Sequence, residues 1–539
     1  MSSRRLRAFK RWMISQGIEW SNDTLQFIDT PEEGISVNAL WDLKEGDLIA
    51  KIPKTACLTI KTSGAQDLIE STGLDGYLGL SVALMYEKSL GGDSPWAGYL
   101  QVLPDCECLP LVWSLDEVDL LLRGTELHKV NLKVIDGLVF GLVLLTLVAP
   151  KQIVKEDKAL IYEDWKESIL PLLDSLPSNI DPKFFSVEQY FAAKSLIASR
   201  SFEIDDYHGF GMVPLADIFN HKTGAEDVHF TSTSSHSESD DDSDNSDTVD
   251  LDADSIGNKE PSSELDCSSV TDDDPSVLEM IMVKDVKAGV ESSLLKSKRM
   301  FLWIAAGEIE LSGVFNTYGL LGNAALLHRY GFTEPDNSFG IVNIDLELVQ
   351  EWSSSLFSSR FSRARLSLWR RLEYRGCDSQ SAEYFEISSN GEPQMELLIL
   401  LYIILLPEDT YRKLDLAVSA ANNHKGSIDT ILSEKWNITW DKISEMRADL
   451  LLTESVCNAL LWLADKRESL YGSSSIKDDI EALEKCCTKE RKLYHSLILR
   501  ASERRILEKL RTYAAVGARS HSFLKSIQRE PKRKRSKRS

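Results

Sequence analysis

No Cys-x-x-Cys pair occurs among the eight cysteines (Cys57, Cys106, Cys108, Cys267, Cys377, Cys457, Cys486 and Cys487), and none belongs to a Cys/His array. This argues against a structural zinc site and a disulfide framework, and it suits a reducing compartment. Long hydrophobic runs are also missing. The most apolar stretch, "GLVFGLVLLTLVAP" at 137–150, has Asp136 before it and ends in Pro150. At about fourteen residues it is shorter than the ~20 a membrane helix needs, so no membrane span is expected. Positive charge is in deficit, with 61 Lys and Arg against 84 Asp and Glu and a net charge of −23. Such a body repels a phosphate backbone, and no specific nucleic-acid partner is expected.

What is present fits a globular protein of two to four domains: 539 residues, 43% of them hydrophobic, with twelve tryptophans. The charge is unevenly placed. Between Glu238 and Asp274 fifteen acidic residues face the single Lys259, and the Ser/Asp segment at about 231–276 is too polar to offset its ordering cost, so it is expected to be disordered. The opposite bias closes the chain. Lys532, Arg533, Lys534, Arg535, Lys537 and Arg538 make a basic tail (526–539) that reads as a peptide for an import receptor, a nucleic-acid contact or a solvated end. Nuclear residence with some cytosolic protein is the expectation. The basic, amphipathic start "MSSRRLRAFKRWMISQG" reads as the first helix of the fold, with a plastid transit peptide as its alternative.

Along the chain, "GISVNALWDLKEGDLIAKIPKTACLTI" alternates apolar and polar residues and breaks at Gly46 and Pro53, the pattern of a β-meander. Helical periodicity dominates from about 75 to 200. Strands return at "GMVPLADIFNH" and "LEMIMVKDVKAG". Beyond 345 the chain is nearly all helical: "ELLILLYIILL" (396–406) reads as a buried helix stopped by Pro407, and the segment after Ser475 as one long amphipathic helix opened by a Ser-x-x-Asp cap with Asp478. The fold class is α+β. It comprises a first domain over 1–345 and a helical domain over 346–525.

Three turn-like segments then matter together: "EEGISV" (32–37), "VPLADIFNH" (213–221) and "VFNTYGLLGNAALLHRYGF" (314–332). In this order and spacing they resemble the SET-domain lysine methyltransferases. The likeness is greatest to the subgroup with a helical insertion in the SET domain and a helical C-terminal domain, which includes Rubisco large-subunit methyltransferase, SET-domain-containing protein six and the ribosomal lysine methyltransferases. The resemblance implies an S-adenosylmethionine-dependent methyltransferase acting on lysine side chains of a protein substrate, as a monomer. A protein-histidine methyltransferase and a catalytically silent nuclear adaptor are the alternatives. It implies Tyr318 as the catalytic residue, with no metal. It implies Gly34, Ile35 and Ser36, Arg200, Asn220 and His221, and Tyr330 and Phe332 around the cofactor, Arg200 pairing with its carboxylate. Trp96, Ser201 and Glu203 are implied along the substrate cleft.

Three features depart from the pattern. Ser36 replaces a second glycine, which would cost about 1 kcal/mol if that position needs φ > 0. Residues 131–153 interrupt an otherwise continuous helical segment, and residues 292–313 are extra sequence just before the catalytic strand.

Overall fold

The computed structural model describes residues 3–30, 34–128, 130–131, 151–232, 276–288, 312–371, 384–420 and 451–528. The expectations for the acidic segment and the basic tail fall almost wholly outside them. Strand Val228–Ser232 pairs antiparallel with strand Val277–Met282, Ser232 opposite Leu278. The acidic segment therefore connects two neighbouring strands.

The N-terminal stretch is a helix, Arg4–Ser15, and it belongs to the core. Ser3 caps it by accepting the Leu6 N–H at 3.1 Å. Leu6, Phe9 and Met13 recur at helical spacing and are fully buried. Besides two two-stranded pairs, the described strands that follow form three small antiparallel sheets. One orders Glu19–Trp20, Leu48–Pro53, Val277–Met282 and Val228–Ser232; another orders Ser312–Gly313, Gly34–Ala39 and Leu25–Thr30; the third orders Leu58–Thr59, Gly209–Met212 and Ser201–Asp205.

This corrects the β-meander reading. The strands at 34–39, 48–53 and 58–59 exist, but each lies in a different sheet. Alternation makes a segment strand-like without naming its partner. Here each strand takes a neighbour from residues 201–313, and those at 34–39 and 48–53 take a second from residues 19–30.

Helices Gly76–Leu90, Leu115–Leu121, Ile153–Asp164 and Val187–Arg200 fill the chain between the strands at 58 and 201. The interruption at 131–153 closes on itself, because Val130 pairs with Gln152 and Asn131 with Lys151. Its interior, 132–150, lies outside the described residues. Of the extra sequence at 292–313, the last two residues make the strand that pairs with Asn38 and Ala39.

In the C-terminal part, helix Met395–Ile404 is buried along nearly its whole length, as its composition predicts. The predicted long helix is two. Ser475 and Asp478 do form a capping box, but the helix it opens ends at Lys485, and helix Arg491–Gln528 begins afresh after the extended residue Cys486.

One core gathers apolar residues from Leu6 to Val314 and a second from Val342 to Ala514. Polar contacts join them. Arg467 is fully buried and donates to the Gly124 carbonyl at 2.6 Å, the Glu126 carboxylate at 2.9 Å and the Asn343 carbonyl at 3.2 Å. Glu503 accepts the Glu126 N–H at 3.1 Å and the Tyr471 hydroxyl at 2.6 Å. Gly124 sits at φ +79°, where a Cβ would come 2.6 Å from the Tyr471 backbone. Gly124→Ala is therefore expected to destabilise the protein by about 2 kcal/mol or more, measured by denaturant unfolding, because alanine meets both the left-handed backbone and an immovable neighbour.

His495 lies at a second junction. Its Nδ1 accepts from the Thr333 N–H at 3.2 Å and stands 3.0 Å from the Thr333 hydroxyl. Burial, aided by Arg491, pushes its pKa down from 6.5 to about 4. Folding therefore favours the neutral ring, and that stability is complete above pH 6.5 and lost as pH falls toward 4. Between pH 7 and 4.5 the wild type should lose about 2–3 kcal/mol more than His495→Asn, whose amide oxygen keeps the acceptor without titrating. Chemical denaturation at the two pH values measures the difference.

Candidate functional site

Residues 312–318 thread between two parts of the first domain. On one side Ser312 and Gly313 pair with the 34–39 strand, and Val314 donates to the Val37 carbonyl at 2.9 Å. On the other, the Asn316 N–H donates to the Asn220 carbonyl at 3.0 Å, and Lys222 N–H to the Asn316 carbonyl at 3.1 Å. His221 and Asn316 thus form a parallel bridge between segments far apart in sequence. The 213–221 loop carries the only non-glycine residue with positive φ among those described, Leu215 at φ 81° and ψ −49°. A buried leucine held there costs on the order of 1–3 kcal/mol, and such outliers cluster at functional sites.

The bridge delivers Tyr318. Its N–H donates to His221 Nδ1 at 2.8 Å, and its hydroxyl donates to the Ser199 carbonyl at 2.6 Å. Its ring stacks on Tyr330 with centroids 3.9 Å apart and 9° between planes, and on His221 at 4.9 Å. Phe332 lies 5.5 Å from the His221 ring and 6.2 Å from the Tyr318 ring. Burial of the hydroxyl pushes its pKa up to about 12, so the phenol stays protonated at neutral pH. About a third of the residue remains exposed.

His221 is neutral. Burial lowers its pKa, opposed by Glu334. Since Nδ1 accepts a backbone N–H, the proton sits on Nε2, 2.8 Å from the Thr223 hydroxyl. Glu334 accepts the Thr223 N–H at 2.9 Å, and Asn323 brackets Glu334, its amide donating to the Glu334 carbonyl and its oxygen accepting the Glu334 N–H. Gly331, at φ 81°, makes the tight turn that places Tyr330 and Phe332 on either side of it.

Arg200 ends helix Val187–Arg200, one residue after Ser199. Its guanidinium donates to Glu107 at 2.8 and 2.6 Å and to the Asp217 carbonyl at 3.1 Å. Asp217 is wholly buried, which raises its pKa against the pull of Arg200; it also accepts the Tyr99 hydroxyl at 2.7 Å. The structure therefore brings Arg200 beside Tyr318 but with its nitrogens already engaged, so a ligand carboxylate would share it with Glu107.

A cavity of about 330 Å³ opens between the 25–39 hairpin and residues 313–315, and Ser36, Asn38 and Asn220 reach it. Gly34 takes φ 78°, while Ser36 pairs with Ile28 in an ordinary extended ladder. The feared cost at Ser36 is absent. Ile35 is buried.

The three substrate-cleft residues separate. Trp96 is only 5% exposed, and its indole N–H donates to the Ala56 carbonyl at 3.1 Å. It packs in the first core. Ser201 and Glu203 lie on the strand that follows Arg200, Glu203 exposed and opposite Phe210, whose ring stacks on Tyr77 at 4.5 Å. The Ser199 carbonyl, Thr223, Glu334 and Glu107 went unread in the sequence. A backbone acceptor has no side-chain signature, Glu334 and Glu107 act on Thr223 and Arg200 from far along the chain, and Thr223 matters only once His221 beside it is placed.

No family model matches the chain. Ribosomal lysine N-methyltransferase 3 of Saccharomyces cerevisiae is 25% identical over 366 residues, covering 60% of this chain and 61% of its own. N-lysine methyltransferase setd6 of Salmo salar is 23% identical over 371 residues, 66% of this chain and 63% of its own. The chain thus spans about six tenths of the length of these two relatives. The setd6 protein of Xenopus tropicalis is 22% identical over 527 residues, 93% of each chain. Among solved structures, Rubisco LSMT bound to AdoMet superposes with a TM-score of 0.53 at 18% identity, over 99% of this chain and 98% of that one. Rubisco LSMT bound to sinefungin and monomethyllysine gives the same score and coverage. The chain thus shares the fold of Rubisco LSMT, and at 22–25% identity it is similar in sequence to the setd6 proteins and to ribosomal lysine N-methyltransferase 3.

Proposed function

We propose that the protein transfers methyl groups from S-adenosylmethionine to lysine side chains of a protein substrate. The observation that carries this reading is Tyr318: a protonated phenol fixed through its backbone by His221, through its ring by Tyr330 and through its hydroxyl by the Ser199 carbonyl. The relatives' names and the ligands of the solved structures support it.

The residues present suit the cofactor. Ser36 and Asn220 border an open cavity, and no described residue lies within 4 Å of where a Cβ on Gly34, two residues earlier, would stand, so a ligand can approach that backbone closely. Gly34, Ile35, Ser36, Asn220 and His221 would hold the cofactor, with Phe332 beside them. When bound, it supplies a methyl group on a positively charged sulfur. The protein's part is positioning and field. A lysine ammonium has no lone pair and attacks only after deprotonation. With its pKa pushed up to about 12, Tyr318 is no base at neutral pH. Its oxygen, donating to Ser199, keeps lone pairs free to orient the neutral amine. Tyr330 and Tyr77 wall the approach with aromatic surface, which excludes water and lowers the cost of holding an uncharged amine.

The same reading extends to place and partner. We propose a monomer that acts on an exposed, flexible lysine-bearing segment and enters the nucleus through an import receptor that reads the basic tail. The density of cations between Lys532 and Arg538 supports this.

Tyr318→Phe removes one hydroxyl and leaves the ring stack in place. Turnover with labelled cofactor should fall by a hundredfold or more while cofactor affinity by calorimetry changes less than about threefold. Near-normal turnover would overturn the assignment, and absence of cofactor binding by the wild type would favour a silent adaptor. Truncation after Glu530 should shift a fluorescent fusion, made too large for passive diffusion, from nucleus to cytosol. Full nuclear entry of the truncated fusion would remove the tail from this account.

A further inference from the structure

A groove of about 410 Å³ begins beside Tyr330 and runs along helices Ile153–Asp164 and Val187–Arg200. Leu160, Ile161, Ile197 and Ala198 line it, with Tyr77 at one edge. Leu160 is 65% exposed and Tyr77 46%, far more than side chains of this kind show when they serve only the core. Ile197 and Ala198 directly precede Ser199, whose carbonyl holds the Tyr318 hydroxyl, and Tyr330 is shared between the groove and the Tyr318 stack. The groove is therefore continuous with the reacting position.

Its rim is basic in an acidic chain. Lys194 and Arg329 both border the groove. Arg329 is exposed and forms no ion pair among the described residues, while the Lys194 ammonium lies 5.7 Å from the Tyr190 ring centroid with Asp164 acting on it from nearby. The other titratable groups there have partners. His328 faces Asp157 at 2.6 Å, and Lys158 donates to the carbonyls of Leu111 and Trp113 at 2.5 and 2.9 Å. An exposed, unpaired Arg329 with Lys194 beside it, next to an apolar floor, favours a ligand that is apolar at one point and negative just beyond it.

We propose that this groove selects the substrate protein: a bulky apolar side chain close to the target lysine enters it, and acidic residues further along the same segment meet Lys194 and Arg329. The inference rests on the methyl-transfer reading, because it takes the lysine at Tyr318 as its origin. An extended segment advances about 3.3 Å per residue, so residues one to three positions from the lysine reach a groove that starts next to Ser199.

The test uses the full chain and short fluorescent peptides with one central lysine. In one set a leucine is moved through the three positions on each side, with two glutamates beyond it; in the control all of these are alanine. Binding is read by anisotropy and transfer by labelled S-adenosylmethionine. One leucine position should bind tenfold or more tighter than the control, as burial of a leucine side chain warrants. Leu160→Ser should abolish that preference while transfer to the alanine peptide is unchanged. Arg329→Glu should reverse the preference for glutamate over lysine beyond the leucine, more strongly at low salt.

Equal binding of all peptides, or a leucine preference that survives Leu160→Ser, would overturn the proposal. So would a groove that binds peptide only after residues 132–150 are deleted, since it would then belong to the chain's own apolar run. Groove-dependent binding without transfer to any peptide would leave the groove standing and remove the methyl-transfer reading. Transfer without any preference would do the reverse.

Discussion

Residue 318 can reach its place only if two stretches almost a hundred positions apart run side by side, and the bond that fixes them is unusually demanding. The Tyr318 N–H ends on a ring nitrogen of His221, 2.8 Å away. That acceptor exists only while the imidazole is neutral and carries its proton on Nε2. Burial lowers the pKa of His221 and keeps it neutral, and the Thr223 hydroxyl at 2.8 Å gives the Nε2 proton a partner. The Tyr318 ring then has its direction set, and the hydroxyl meets the Ser199 carbonyl.

Support for this bond comes from the C-terminal helix as well. Asn323, which brackets Glu334 and so the Thr223 turn, lies 3.5 Å from Ser502, and Thr333 next to it meets the buried His495. Arg491 approaches Glu107 at 3.7 Å, and Glu107 holds Arg200, one residue from Ser199. The helical part of the chain therefore bears on both anchors of Tyr318. Substitutions on helix Arg491–Gln528 can alter the site with no contact to it, because a displaced positive group at Glu107 or a protonated His495 shifts the turns that hold the ring.

The sequence spoke most clearly where the physics is local. Ser475 and Asp478 form the expected capping box, and the apolar run from Met395 is a buried helix, since caps and helical burial depend on residues within one or two turns. Gly34 and Gly331 take the positive φ that marks a tight turn. It spoke less clearly at Cys486, where a helix was expected to continue and the chain is extended. Nor did it speak of the burial of Trp96, because an aromatic that follows a proline reads the same whether its indole N–H faces solvent or the Ala56 carbonyl.

By itself, then, the sequence determined the elements, the α+β class, the uneven charge and the set of chemistry-bearing residues around Asn220, His221 and Tyr318. Which strand joins which sheet was decided only in three dimensions, because alternation in "GISVNALWDL" and "GDLIAKIP" fixes two faces and leaves the partner open. So was the state of the ionisable groups. Arg200 is engaged by Glu107 and Asp217, His221 is neutral, and the Tyr318 hydroxyl is held protonated, since each depends on burial and on charges that folding brings within a few ångströms.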